Sequence, residues 1–223
     1  MAYQAGGQRS QPRPVPEGPE AQAYLQDYAT LLEALPFPSV VLDPCWDVVL
    51  SNTAFASLFR AVGPHPTAMP DDNFLRFVLF HPDASAVLGE HESRWFLPAL
   101  AHFAAAVERH GHDHGLQSIR RDIAQDPIME AAYRQGLPHW IRAVGERAVE
   151  HDGAVRPVIH PDPRWGATEC RVVDETPRTL RDLGYTTMTL VLRPARRASL
   201  TGGRVARARR TASHLSVVPA PEA

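Results

Sequence analysis

Apolar positions take up helical spacing early in the chain. Tyr24, Leu25, Tyr28, Leu31, Leu32 and Leu35 share one helix face, which predicts a helix over residues 23–35 that Pro36 and Pro38 bring to an end. SVVL (39–42) and DVVL (47–50) then predict two short strands joined by a turn at Asp43-Pro44. Asn52 stands where a helix wants its N-cap, ahead of Ala54, Phe55, Leu58 and Phe59. After a loop over 64–70, Asp71 or Asp72 is placed to cap a short helix through Phe74, Leu75, Phe77, Val78 and Phe80 that stops before Pro82.

The strongest amphipathic pattern covers 94–109, with Phe96, Leu97, Leu100, Phe103, Ala104 and Val107 on one face. Further helical stretches follow at 116–124, at 128–133 behind a first-turn Pro127, and at 140–149. The last third changes period. Residues 154–159, 168–173 and 186–192 are β-rich and bounded by Gly, Pro or Asp; in the last of them Met188, Leu190 and Leu192 alternate with Thr187, Thr189 and Val191. A hairpin, several helices and then three strands most simply close one antiparallel sheet with helices packed on one face, an α+β layout.

Composition changes this picture mainly at the ends. The 223 residues suit a single domain, expected over 23–194 between a disordered proline-rich leader (1–22) and a disordered arginine-rich tail (195–223). All 23 positive charges are arginine, so mechanisms that need a Schiff-base lysine or a phosphate-loop lysine are excluded. The net charge of −2 divides into +6 over residues 193–223 and −8 over the rest. Such a tail can neutralise phosphates, but nonspecific nucleic-acid binding is less favoured here than a solvated tail. The first 22 residues have no apolar signal-peptide core, and no run of about 18 apolar residues exists to span a membrane, so a cytoplasmic location is expected. The lysine-free, Arg-, Ala- and Pro-rich usage suggests a GC-rich bacterial source.

The order of motifs resembles a known family. LLEALPFPSVVLDPCWDVVLSNTAFASLF (31–59), NFLRFVLFHPDA (73–84), RWFLPALAHFAAAVERHGHD (94–113) and GYTTMTLVLRP (184–194) are similar, in that order, to segments of the MmyB-like transcription-regulator ligand-binding domain. The resemblance covers about residues 24–194 and rests on order more than on any single motif. It implies a PAS-like sheet-and-helix fold with an internal pocket, a fatty-acid-like ligand class and a role in ligand sensing for transcription regulation. Family members usually carry a helix-turn-helix domain ahead of the sensor. Here only 23 proline-rich residues precede the first plausible helix, so sequence-specific DNA reading is not expected and the signal would pass through a protein partner or a homodimer.

For the pocket, Phe55, Leu58, Phe59, Phe77, Phe80, Leu100, Phe103 and Val107 are the candidate walls, set against Val41, Leu50, Leu190 and Leu192, with Arg76 as the candidate anchor for a ligand carboxylate. The same side chains read equally well as ordinary core. The proposed site residues are therefore Phe55, Phe59, Arg76, Phe77, Phe80, Leu100, Phe103 and Val107, with no cofactor and a lipophilic small molecule as partner. A second class of reading is a small metal-dependent enzyme using His110, Asp113 and His114, with His81, His91 or His102 as remote ligands. The glycines flanking that loop favour a flexible surface segment instead. Cys45 and Cys170 lack metal-ligand spacing, and no nucleophile-elbow context surrounds a serine. A ligand-free interaction module with a filled interior is the third reading.

Overall fold

The structure, a computed structural model, describes residues 18–193; the expected leader up to residue 17 and the expected tail lie outside the described residues. Helix α1 (Pro19–Glu33) starts four residues before the expected 23. Proline is tolerated in the first turn, where its missing N–H has no partner to lose, and Glu20 complements the positive end of the helix dipole. Strands β1 (Ser39–Leu42) and β2 (Val48–Ser51) form the predicted hairpin. Its turn is tied by the Asp43 carboxylate, which accepts hydrogen bonds from the amides of Cys45 at 2.7 Å and Asp47 at 2.9 Å. Trp46 occupies the turn at φ 61°, a left-handed conformation unusual for a bulky residue.

Helix α2 (Thr53–Leu58) is capped as predicted: the Asn52 side chain accepts from the Phe55 amide at 2.9 Å. For α3 (Phe74–Phe80) the cap is Asn73, which accepts from the Arg76 amide at 2.8 Å, rather than Asp71 or Asp72. Its Nδ2 also donates to the Cys45 carbonyl at 2.8 Å, so the cap doubles as a tie to the hairpin turn. The short α4 (Ala84–Val87) follows.

Residues Glu92–Phe96 make a π-helical turn that runs directly into α5 (Leu97–His110). After α6 (His114–Gln125) and α7 (Pro127–Ala131), a second π-helical turn at Ala132–Gly136 leads into α8 (Leu137–Val144). Both π turns precede a Leu-Pro step, and in both the leucine amide reaches back five residues, Leu97 to the Glu92 carbonyl and Leu137 to the Ala132 carbonyl. Pro98 and Pro138 cannot donate, and widening the preceding turn lets the helix absorb them without breaking.

Strands β3 (Val155–Ile159) and β4 (Ala167–Val173), helix α9 (Arg178–Asp182) and strand β5 (Thr186–Arg193) complete the chain. The sheet is fully antiparallel in the order β2-β1-β5-β4-β3, so the first hairpin and the last strand meet at its centre. The fold is α+β and PAS-like. On its inner face Val40, Leu42, Val158, Cys170, Val172, Met188, Leu190 and Leu192 pack against Phe55, Phe59, Phe74, Phe77 and Trp95. Strand alternation turns Val41 to the other face, where it meets Leu25 and Leu32 of α1 and Leu180 of α9, with Leu50 packed alongside. The expected placement of Val41 and Leu50 at the cavity is therefore corrected: they lie under α1. A third cluster joins Leu75 and Leu79 of α3 to Leu100 and Phe103 of α5, Leu116, Ile119 and Ile123 of α6, and Leu137 of α8.

Candidate ligand-binding site

Between the inner face of the sheet and helices α3 and α5 lies a cavity of about 380 Å³. That is within the range of about 300–1,000 Å³ usual for small-molecule sites. Its apolar wall comes from Leu42 of β1, Trp46 of the hairpin turn, Phe74, Leu75 and Val78 of α3, and Met188 of β5. The π turn and α5 contribute Trp95, Ala99, His102 and Ala106, spaced four, three and four residues apart and hence on one helix face. The two alanines keep the helix surface low there, which is where the space opens.

Polar groups enter from β3 and from the residues just before it. Arg156 is only 4% exposed and sits on the inner face of β3, opposite Cys170 in the sheet register. Its guanidinium lies over the Trp95 ring, 5.0 Å from the centroid, and Nη2 donates to Nδ1 of His151 at 3.2 Å. A guanidinium carries no acceptor, so Nδ1 must accept and the neutral ring keeps its proton on Nε2, which faces the Met188 sulfur at 3.2 Å. His102 stands edge-to-face with His151, ring centroids 5.0 Å apart, and its buried Nε2 has no hydrogen-bond partner among the described residues.

Burial and then the nearby Arg156 push both imidazoles down, His102 to about 4 and His151 well below its ordinary value. Burial also lowers the Arg156 guanidinium to about 10, and no described carboxylate forms an ion pair with it. The Cys170 thiol is pushed up to about 12 by burial, which leaves it a protonated packing group.

The eight residues chosen from sequence lie around this cavity rather than on it. Phe55, Phe59 and Phe77 form the layer behind Phe74, with ring centroids 6.1, 6.2 and 6.4 Å from it. Leu100 and Phe103 of α5 belong to the cluster built mainly from α3, α5, α6 and α8, with Val107 and Phe80 packed partly buried against it. The most apolar face of α5 thus binds other helices, and its smaller, more polar face turns to the sheet. Arg76 is engaged elsewhere, pairing with Asp122 at 2.7 Å and donating to the Ser118 hydroxyl at 3.0 Å.

Of the histidine loop, His110 is exposed and lines the cavity at its rim, while Asp113 serves the fold. Asp113 caps α6, accepting from the amides of Gly115 at 2.7 Å and Leu116 at 3.2 Å, and it takes the Cys45 thiol hydrogen bond at 2.9 Å. His91 bonds the Val78 carbonyl at 2.8 Å and His81 the Gly63 carbonyl at 3.1 Å. Among the described residues no three His, Cys, Asp or Glu side chains gather as a metal site.

A central cavity bounded by sheet and helices is the architecture a ligand-sensing domain requires, and the family comparison agrees with it. The model of the MmyB-like transcription regulator ligand binding domain matches residues 26–153. The chain belongs to that family. No curated protein matches the sequence. Membership makes this a ligand-binding module of the transcription-regulator class, from a family that is in general not catalytic. The MmyB-like match takes in His102 and His151 and ends three residues before Arg156. Among the described residues no helix is long and apolar enough to cross a membrane.

Reasoning on the sequence missed Trp95, His151 and Arg156, and named His102 only as a remote ligand of a metal site. One signal was present: Arg156 shares strand parity with Val158, so whichever face buries Val158 must also receive a guanidinium.

Proposed function

We propose that the module senses a lipophilic, fatty-acid-like small molecule held in the cavity between the sheet and α5, and passes the signal on through a protein partner or a second copy of the chain. The working unit in this reading spans residues 23–194 and acts in the cytoplasm. The observation that carries it is the cavity of about 380 Å³, walled by Leu42, Trp46, Phe74, Trp95 and Met188 where the sheet meets the helices it would have to couple. A ligand there touches the β1–β2 turn, α3, α5 and β5 together. It can therefore favour one packing of helices over sheet, which is the thermodynamic requirement of a sensor. Phe55, Phe59 and Phe77 would act from behind the wall, by holding Phe74 in place.

The test is native mass spectrometry of the untagged, purified chain, followed by thermal unfolding with straight-chain acids of about ten to eighteen carbons. A co-purified lipophile, or an unfolding temperature that climbs with acid concentration, supports the reading. A clean protein that no acid stabilises overturns it.

A further inference from the structure

We propose that Arg156, flanked by His151 and His102, is a head-group subsite for one monoanionic group of the ligand, a carboxylate in the simplest case. The inference rests on the ligand-binding reading above and deepens it.

A buried guanidinium is costly unless its charge and donors are met. Arg156 has five N–H donors, and among the described residues its one hydrogen-bond partner is Nδ1 of His151. Stacking on Trp95 satisfies one face of the plane but none of the N–H groups. Two carboxylates line the same cavity, yet each is employed locally: Asp43 accepts from the Cys45 and Asp47 amides, and Asp174 from the Thr176 hydroxyl. The Cys170 thiol opposite it is protonated, and the nearby Arg94 is another cation whose charge disfavours that of Arg156. His102 presents a second unmet polar atom, Nε2, on the same wall.

The result is a cavity, apolar over most of its surface and lined also by the solvent-exposed Arg109, in which Arg156 is the buried cation. A cation or metal ion would be repelled by it. A neutral lipid would leave the donors unmet. A group with one negative charge and two coplanar oxygens matches the fork of the buried guanidinium. The occupant is thus an amphiphile, with its tail against Trp46, Phe74 and Met188 and its anionic head at Arg156.

Trp46 and Trp95 in the cavity wall supply a fluorescence readout on the full chain. Dodecanoic acid and dodecan-1-ol are titrated into the wild type, Arg156→Met and Arg156→Lys. The acid should bind the wild type at least about tenfold more tightly than the alcohol, the preference should vanish in Arg156→Met, and Arg156→Lys should keep part of it. Equal binding of acid and alcohol by the wild type overturns the subsite while leaving a lipophilic ligand in place, and that comparison does not depend on either variant folding. A preference for the acid that survives in a folded Arg156→Met overturns the assignment to Arg156. Binding of neither probe overturns the lipophilic reading itself, and the subsite with it.

Discussion

Arg156 lies over the ring of Trp95 at 5.0 Å, and Trp95 in turn donates its indole N–H to the Pro157 carbonyl at 2.9 Å. The indole is thus held by the backbone of the strand whose side chain it stacks upon, and the guanidinium is fixed in orientation without an acid beside it. Gly89 lets this corner close: a Cβ there would come within 3.0 Å of Pro157, which sets how near the segment before α5 approaches β3.

The first prediction concerns that pair. Trp95→Phe keeps an aromatic face for Arg156 but leaves the Pro157 carbonyl without its donor and a small void beside it. A loss of about 2 kcal/mol in urea unfolding is expected, against about 4 kcal/mol for Trp95→Ala. Phenylalanine at this position with wild-type stability would show that the indole hydrogen bond does not hold the corner.

Much of this architecture can be read from the residues, and its failures have physical causes. The hairpin at 39–50, the Asn52 cap and the three late strands announce themselves because local turn chemistry and period coincide there. The cavity does not. In β3 the apolar residues Val155, Pro157 and Ile159 suggest an inward face, but Ile159 is 40% exposed and Arg156 and Val158 are the buried pair. Alternation fixes which residues share a face, and the packing of Trp95 and Leu88 decides which face is in. The same ambiguity affects α5, whose strongest stripe meets other helices because the chain supplies a second helical layer. A pattern of apolar positions shows that a face is buried and leaves open what buries it.

Asn52 gives the second prediction. Its Oδ1 accepts from the amides of Ser39 at 3.0 Å and Phe55 at 2.9 Å, and Nδ2 donates to the carbonyls of Leu32, Leu35 and Phe37 at 3.1, 3.1 and 2.9 Å. One buried amide therefore caps α2, pairs with the start of β1 and closes the end of α1. Asn52→Ala should lower unfolding stability by about 3 kcal/mol, well above the ~1 kcal/mol of an ordinary cap, because several buried backbone groups are orphaned together. Asn52→Asp should not rescue it, since a carboxylate keeps the acceptor and loses both donors.

A pH dependence follows from His102, which burial, Arg156 and Arg109 hold at about 4 in the folded chain against an ordinary 6.5. Between those values the unfolded chain carries a proton that the folded one does not. Stability from this group is therefore complete above about pH 6.5 and is lost on acidification towards pH 4, by up to about 3 kcal/mol. His151, shifted in the same direction, adds to the slope. His102→Gln should unfold in urea with a visibly flatter dependence between pH 7 and pH 5, roughly one proton less per molecule. An unchanged slope in the variant would rule His102 out as the buried neutral base.

The last prediction separates the cavity from the core around it. Ala99 lines the cavity from the middle of the α5 face that also carries Trp95, His102 and Ala106, and it is only partly buried. Leucine at this position projects into the open space, so overpacking is avoided and stability should change by no more than about 1 kcal/mol. Dodecanoic acid should nevertheless lose at least about tenfold in affinity, because the added side chain takes room that the acyl chain needs. Phe77→Leu, made in the layer behind the wall where Phe77 is fully buried, should do the reverse. It should cost about 1–2 kcal/mol of stability through lost packing while leaving the acid's relative affinity within about threefold. Measured side by side by thermal unfolding and tryptophan fluorescence, the two variants discriminate a ligand that sits against α5 from one that sits anywhere else in the molecule. If Ala99→Leu binds the acid as the wild type does, the ligand lies elsewhere.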